Sequence, residues 1–216
     1  MDHLLAVRKR VRAGLEGTAI VRSALSGTVD RRLYARYLTN AFHYAGHSPK
    51  VMAVAASRCM DDHPDLAAYL LHHADEERGH DRWALSDLQA LGVDEATVRA
   101  TAPVVSCSAL VGYVHYVARV ANPVGLFGWM YVLEAVGEDL GTPLARRLQE
   151  AMPGPGGHRF VAGHGLADVG HTQELTEQIS THVQRPEDVR DVDRVADVVA
   201  DLYVRMFREI GEEAAA

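Results

Sequence analysis

"HGLADVGH", His164 to His171, reads His-x-x-x-Asp-x-x-His. An α-helix turns about 100° per residue, so positions four and then three apart return to one face. Phe160, Val161, Leu175 and Ile179 define an apolar arc on the same stretch, and His164, Asp168 and His171 fall inside it. Burying two imidazoles and a carboxylate is costly unless they pair with one another or hold a metal. Nitrogen and oxygen donors converging from successive turns suit a first-row transition metal. For this helix alone, a hydrogen-bonded His–Asp–His core cluster is the competing reading.

Helical periodicity extends over the rest of the chain. Leu4, Val7, Val11 and Leu15 open a first helix that "SGTVD" ends at Gly27. Asp30 is the expected N-cap of a second, reaching Gly46, and Ser48-Pro49 starts a third that ends near Met60. A single helix is expected over 64–91, from Pro64 to the stop at Gly92, then a short piece over 94–100. Further helices are expected over 106–121, from Asn122-Pro123 to Met152, over 157–183 around the motif, and from Pro186 onward. Strand-like alternation is absent, so the fold class is all-α, a bundle of seven or eight helices. With 216 residues and no linker, repeat or low-complexity run, 1–216 reads as a single domain.

Composition narrows the function. Charged residues make up 24% and the net charge is -7, so no basic footprint for nucleic acid is present. No apolar run reaches the roughly twenty residues that span a bilayer, and the N-terminus has no signal-peptide core. A cytoplasmic location is expected. Cys59 and Cys107 form no metal-spaced pair and read as buried thiols.

Two other helices carry polar groups on their inner stripes. Over 64–91 the stripe runs Leu66, Leu70, His73, Glu77, His80, Ala84, Leu88, Leu91. Glu77 and His80 make Glu-x-x-His, the spacing of carboxylate-bridged di-iron bundles, which is weak evidence on an exposed face and stronger on a buried one. Glu76 points elsewhere and reads as solvated. In "GLFGWMYVLEAVGEDLG", Glu134 sits at the edge of the apolar face, where a carboxylate is placed to bridge two metals. Glu138 and Asp139 read as solvent-facing, and Gly125, Gly128 and Gly137 as points of close helix approach. His43, His47 and Tyr44, at the end of the second helix, are candidates for lining a substrate pocket. Trp83 and Trp129 read as core.

These residues carry a resemblance. The "EERGH...W" stretch, Glu134, and then "HGLADVGH" follow one another as in the heme-oxygenase-like di-iron oxidases and oxygenases, which share their fold with thiaminase-type and pyrroloquinoline-quinone-synthase-type proteins. "SGTVDRRLYARYLTNAFHYAG" resembles the second-helix region of that fold. The resemblance implies His80 and His171 on one iron, His164 and Asp168 on the other, and Glu134 bridging. Glu77 takes the remaining carboxylate position, although some members place that ligand where this chain has His73; either residue is compatible with the pattern.

The resemblance further implies two iron ions per chain, or a manganese–iron pair, with dioxygen as co-substrate. No catalytic residue beyond the metal ligands is assigned. The expected partners are a small-molecule substrate, amino-acid-like by preference, an external electron donor and a second copy of the chain in a homodimer. A metal-free oxidase or hydrolase of the same fold is the alternative, with the histidines as acid–base groups. A heme enzyme would need an axial histidine on the first helix, and no histidine lies between His3 and His43. A ferritin-like bundle would need a second Glu-x-x-His helix.

Overall fold

The computed structural model describes residues 1–154 and 156–215. Its α-helices are α1 (Asp2–Glu16), α2 (Ala19–Leu25), α3 (Arg31–Ala45), α4 (Ser48–Cys59), α5 (Pro64–Glu76), α6 (His80–Ala90), α7 (Glu95–Ala100), α8 (Val105–Arg119), α9 (Leu126–Val136), α10 (Thr142–Ala151), α11 (Arg159–His182) and α12 (Pro186–Ala215). No strand occurs among the described residues. Of these, none is long and apolar enough to cross a membrane. The expected starts hold: the Asp30 carboxylate accepts the N–H groups of Arg32 and Leu33, and Asp94 caps α7.

The helices outnumber the expected seven or eight because three expected helices are interrupted. Thr18 turns extended and its hydroxyl donates to the Leu15 carbonyl at 2.6 Å, separating α1 from α2. The helix expected over 64–91 breaks at residues 77–79, where Gly79 takes φ 97°, a left-handed conformation that a Cβ disfavours. The helix expected from 123 to 152 starts as a 3-10 turn, Pro123–Gly125, and loosens into a π-helical turn, Gly137–Gly141, between α9 and α10. The second and third interruptions each fall beside a polar residue of the inner stripes. Single π turns recur at functional sites because they re-aim side chains within a helix.

α9 lies at the centre, against α12, α11 and α1. Its sequence, LFGWMYVLEAV, is apolar around the whole circumference, as expected of a helix covered on all sides. Glu134 is its one charged residue. Close approach is built from glycine. A Cβ on Gly128 would collide with the Val192 carbonyl of α12 and lie 2.8 Å from the Ala196 nitrogen. A Cβ on Gly137 would collide with the Asp168 carboxylate, and one on Gly141 would lie 2.5 Å from the Gly165 Cα. The Thr142 hydroxyl donates to the Gly165 carbonyl at 3.0 Å, tying α10 to α11.

Glu138 and Asp139 do not face solvent as expected. They clamp Arg8 of α1, with Glu138 Oε2 at 2.9 Å from Nη1 and Asp139 Oδ2 at 3.0 Å from Nε. The π turn directs both carboxylates towards the first helix.

Gly128→Ala should destabilise the fold by about 1–3 kcal/mol, the usual range for overpacking, because backbone atoms of α12 cannot rotate aside. Gly112→Ala, on α8 with no heavy atom within 4 Å of the added carbon, should instead stabilise by up to about 1 kcal/mol. Urea unfolding of the two variants tests the assignment; equal effects would refute it.

Candidate metal centre

Four helices and the turn between two of them bring the polar stripe residues together. His73 comes from α5, Glu77 from the turn after it and His80 from the first position of α6. Glu134 comes from the last turn of α9, and His164, Asp168 and His171 from α11. His73 Nε2 lies 3.0 Å from Glu134 Oε1, and His171 Nδ1 lies 3.4 Å from Glu134 Oε2. His80 Nδ1 lies 2.9 Å from Glu77 Oε1, and the rings of His80 and His164 are 4.8 Å apart.

Two donor groups result. One is His73, Glu77, Glu134 and His171; the other is Glu77, His80 and His164; within each, one donor atom per residue lies within 4.8 Å of all the others. Glu77 belongs to both. The grouping differs from the expected pairing: His80 stands with His164, and His171 with His73. Nor are Glu77 and His73 alternatives. The break at residues 77–79 lets His73 reach Glu134 while Glu77 turns towards His80, so both enter the centre. Asp168 belongs to neither group and lies against Gly137, hydrogen-bonded to Glu134.

The carboxyl groups are strongly polarised. Burial pushes Glu134 up, but His171 and His73 outweigh it and hold the group at about 2. Burial and the adjacent Glu134 charge push Asp168 to about 11. Near neutral pH Asp168 is therefore an uncharged acid whose O–H donates to Glu134. Burial also opposes ionisation of Glu77, and His80 beside it reverses the balance and lowers its pKa. Burial lowers His164, whereas the adjacent Glu134 carboxylate raises His171.

Within this cluster four buried atoms have no hydrogen-bond partner among the described residues: His73 Nδ1, His80 Nδ1, His171 Nδ1 and Glu134 Oε2. His80 Nδ1 is near Glu77, but the contact is too far off line to be a hydrogen bond. Buried polar atoms are rarely left unsatisfied. Four in one centre, all imidazole nitrogen or carboxylate oxygen, form a donor set that fits divalent iron or manganese.

Other residues hold this arrangement. Asp87, buried on α6, accepts the N–H groups of Gly157, Arg159 and Phe160 at 2.8–3.1 Å. It thereby satisfies the start of α11 and fixes His164 relative to His80. Trp83 stacks on His80 with ring centroids 3.9 Å apart, under the Arg159 guanidinium at 5.4 Å. A Cβ on Gly163 would lie 2.5 Å from the Trp83 ring, so Gly163 makes room for it. Glu76 is exposed but not simply solvated: its Oε2 lies 3.7 Å from His171 Nε2 and 3.8 Å from His73 Nδ1. Sequence reading missed these roles. Asp87 lies outside the apolar stripe on α6, and Glu76 is the exposed last residue of α5, so the helical pattern singled out neither.

Beside the centre is a cavity of about 110 Å³ whose wall includes Glu77, Glu134, His164 and Asp168 together with apolar residues of α1, α2, α9 and α10. Of the three expected pocket residues, Tyr44 lines it. His43 does not; its Nε2 lies 2.8 Å from the Thr101 carbonyl because the α3 terminus turns it towards the α7–α8 loop. His47 also lies outside this wall. It pairs with His115 at 2.9 Å and lines a smaller pocket. Trp129 is buried, as expected, and also lines the main cavity.

A family profile described as "iron-containing redox enzyme" matches residues 35–204. No curated protein matches the chain by sequence. A solved domain of unknown function with a heme oxygenase-like fold from Shewanella denitrificans is 26% identical, covering 98% of this chain and 91% of that one, with TM-score 0.88. A TenA homologue from P. horikoshii is 14% identical over 98% of this chain and 97% of that one, TM-score 0.80. The heme-bound heme oxygenase-1 of the cyanobacterium Synechocystis is 17% identical over 99% and 93%, TM-score 0.69. The last two share the fold. The histidines of this chain that lie before α3 reduce to His3, which is exposed and paired with Asp197 at 3.0 Å, so no buried imidazole is offered there.

The charge assignment has a direct test. An acid whose folded pKa is raised adds stability that is fully present below its unfolded pKa and lost as pH rises towards the folded value. Asn copies a neutral carboxylic acid in shape and can donate to Glu134. Metal-free Asp168→Asn should therefore match the parent below about pH 4 and become the more stable protein as pH rises, by at least about 1 kcal/mol near pH 7. Urea titrations across that range measure the difference. A gap independent of pH would mean that Asp168 does not change its protonation on folding.

Proposed function

The chain belongs to the family of iron-containing redox enzymes with a heme-oxygenase-like fold, and from that premise we propose that it is a non-heme di-iron oxidase or oxygenase acting on a small organic molecule. The observation that carries the proposal is the pair of donor groups sharing the buried Glu77. In this reading His73, Glu134 and His171 hold one iron, His80 and His164 hold the other, and Glu77 lies between them. Asp168 would supply a further carboxylate beside Glu134.

Bound iron supplies electrons for reducing dioxygen, with an external electron donor restoring them. The protein residues do the rest. Glu77 and Glu134 offset the metal charge, and the acid proton on Asp168 is held against Glu134, where metal binding would displace it. Apolar walls keep water from the substrate side, which strengthens every electrostatic interaction within the centre. Trp83 and Asp87 limit the movement of His80 and His164.

A metal-free acid–base enzyme is the second reading. One observation favours it: His73, Glu134 and Asp168 already form a hydrogen-bonded chain without any ion. Metal stoichiometry separates the two. Loaded anaerobically with ferrous iron, the protein should take up about two ions per chain, as a donor set of this size accommodates. Glu77→Ala should lose both because it serves both groups, whereas His80→Ala should lose one. Metal analysis and Mössbauer spectra read the outcome. Negligible uptake by the parent protein would leave the metal-free reading standing.

A further inference from the structure

The cavity meets the centre at Glu77, Glu134, His164 and Asp168, and His73 and His171 are not part of its wall. Those two imidazoles each stand between two carboxylates. One nitrogen of each faces Glu134: His73 Nε2 lies 3.0 Å from Oε1, and His171 Nδ1 lies 3.4 Å from Oε2. The other nitrogen of each faces Glu76 of α5, whose Oε2 lies 3.8 Å from His73 Nδ1 and 3.7 Å from His171 Nε2. The second Glu76 oxygen, Oε1, lies 3.5 Å from His72 Nε2. Donor groups therefore follow one another inward from the surface, with side-chain exposure falling from 67% at His72 to 38% at Glu76, 14% at His171 and 9% at Glu134.

The spacing around Glu76 suits an ion better than a hydrogen bond. An N–H···O bond needs about 2.7–3.2 Å between heavy atoms. Two metal bonds of about 2.0–2.2 Å, meeting at an angle, join donors roughly 3–4 Å apart. His73 is 1% exposed, and its Nδ1, on the Glu76 side, has no hydrogen-bond partner among the described residues. That nitrogen is closed to solvent, so the outer step falls to Glu76 and His171. A neutral imidazole has one free lone pair. His171 therefore serves an ion on its Glu76 side or on its Glu134 side, never on both, and its proton passes to the nitrogen that the ion vacates. It is built as a relay between the two carboxylates.

We propose that Glu76 is the entry ligand through which a divalent metal ion passes from solvent to the centre, taken up beside His72 and handed on to His171. A carboxylate that stays partly in water attracts a hydrated cation without the desolvation penalty of a buried one, and releases it more readily. The route does not run through the cavity, so metal and organic substrate reach the centre by separate doors. The proposal rests on the di-iron reading for its cargo.

Stopped-flow uptake of cobalt(II), and of ferrous iron without oxygen, tests the proposal on the full chain, together with the rate at which excess chelator removes the ion again. Glu76→Gln should slow uptake at least about tenfold, the loss of one charged contact at the barrier. It should slow removal by the same factor and leave the amount bound and the affinity unchanged, because a residue on the path lowers the barrier in both directions. A ligand of the final site, or a mere support for the imidazoles, would change affinity instead. Asp75→Asn removes the same charge one residue away, from an exposed side chain paired with Arg78 at 2.9 Å. It should slow uptake less than about threefold, since exposed charges are screened by salt. Uptake by Glu76→Gln at the parent rate, an affinity loss that accounts for the slowing, or equal slowing by Asp75→Asn would each overturn the proposal. A parent that takes up two ions, with Glu76→Gln unimpaired, fails the entry proposal alone. A parent that takes up a single ion, with its exchange slowed in Glu76→Gln, fails the paired-iron reading alone. A parent that takes up neither ion overturns both.

Discussion

Placing the Glu134 carboxylate inside an otherwise apolar central helix costs several kcal/mol unless its charge is met by neighbours. Much of the architecture around it is arranged to meet that charge. His73 arrives from α5 and His171 from α11, their rings 4.6 Å apart, each within 3.4 Å of one of its oxygens. Asp168 lies beside the same group, and burial together with the Glu134 charge pushes its pKa up. The compensation is incomplete: within this cluster three imidazole nitrogens and one carboxylate oxygen have no hydrogen-bond partner among the described residues. Such unsatisfied polarity is what a bound ion would complete.

This compensation depends on α11 lying very close to the segment after α9. Small residues make the approach, with Gly137 opposite Asp168 and Gly141 opposite Gly165. Asp87 fixes the beginning of α11 by accepting the N–H groups of its first two residues, which have no intrahelical partner, and that of Gly157 just before it. The π turn adds its own adjustment, turning Glu138 and Asp139 away from the centre to grip Arg8. Packing, capping and an irregular helix thus converge on the placement of a few side chains.

The fold places the chain beside proteins of different chemistry, and fold alone does not choose among them. In the proposed function, two donor groups with a common carboxylate would hold paired metals, while a hydrogen-bonded His–Glu–Asp chain by itself would serve acid–base work. The cavity then bears on what reaches the centre, since its wall combines apolar side chains with the carboxyl groups of Glu77, Glu134 and Asp168.

Local physics written along the chain was enough for several features. Three-to-four residue periodicity is a property of each helix, so the all-α class was legible, as were Asp30 as a cap and Gly128 and Gly137 as close-approach points. The inward placement of His164, Asp168 and His171 was legible for the same reason: residues four and three apart share a face whatever the helix packs against. The partnership between helices was not. His80 stands with His164 rather than His171, and His73 and Glu77 both enter the centre, because a left-handed Gly79 ends one helix and begins another between them. An isolated glycine in a helical pattern is often tolerated, and its local sequence did not reveal that packing here had turned it into a break. The roles of Asp87, Trp83 and Glu76 were not legible either. Those roles are relations across space between helices, and only the packed bundle specifies them.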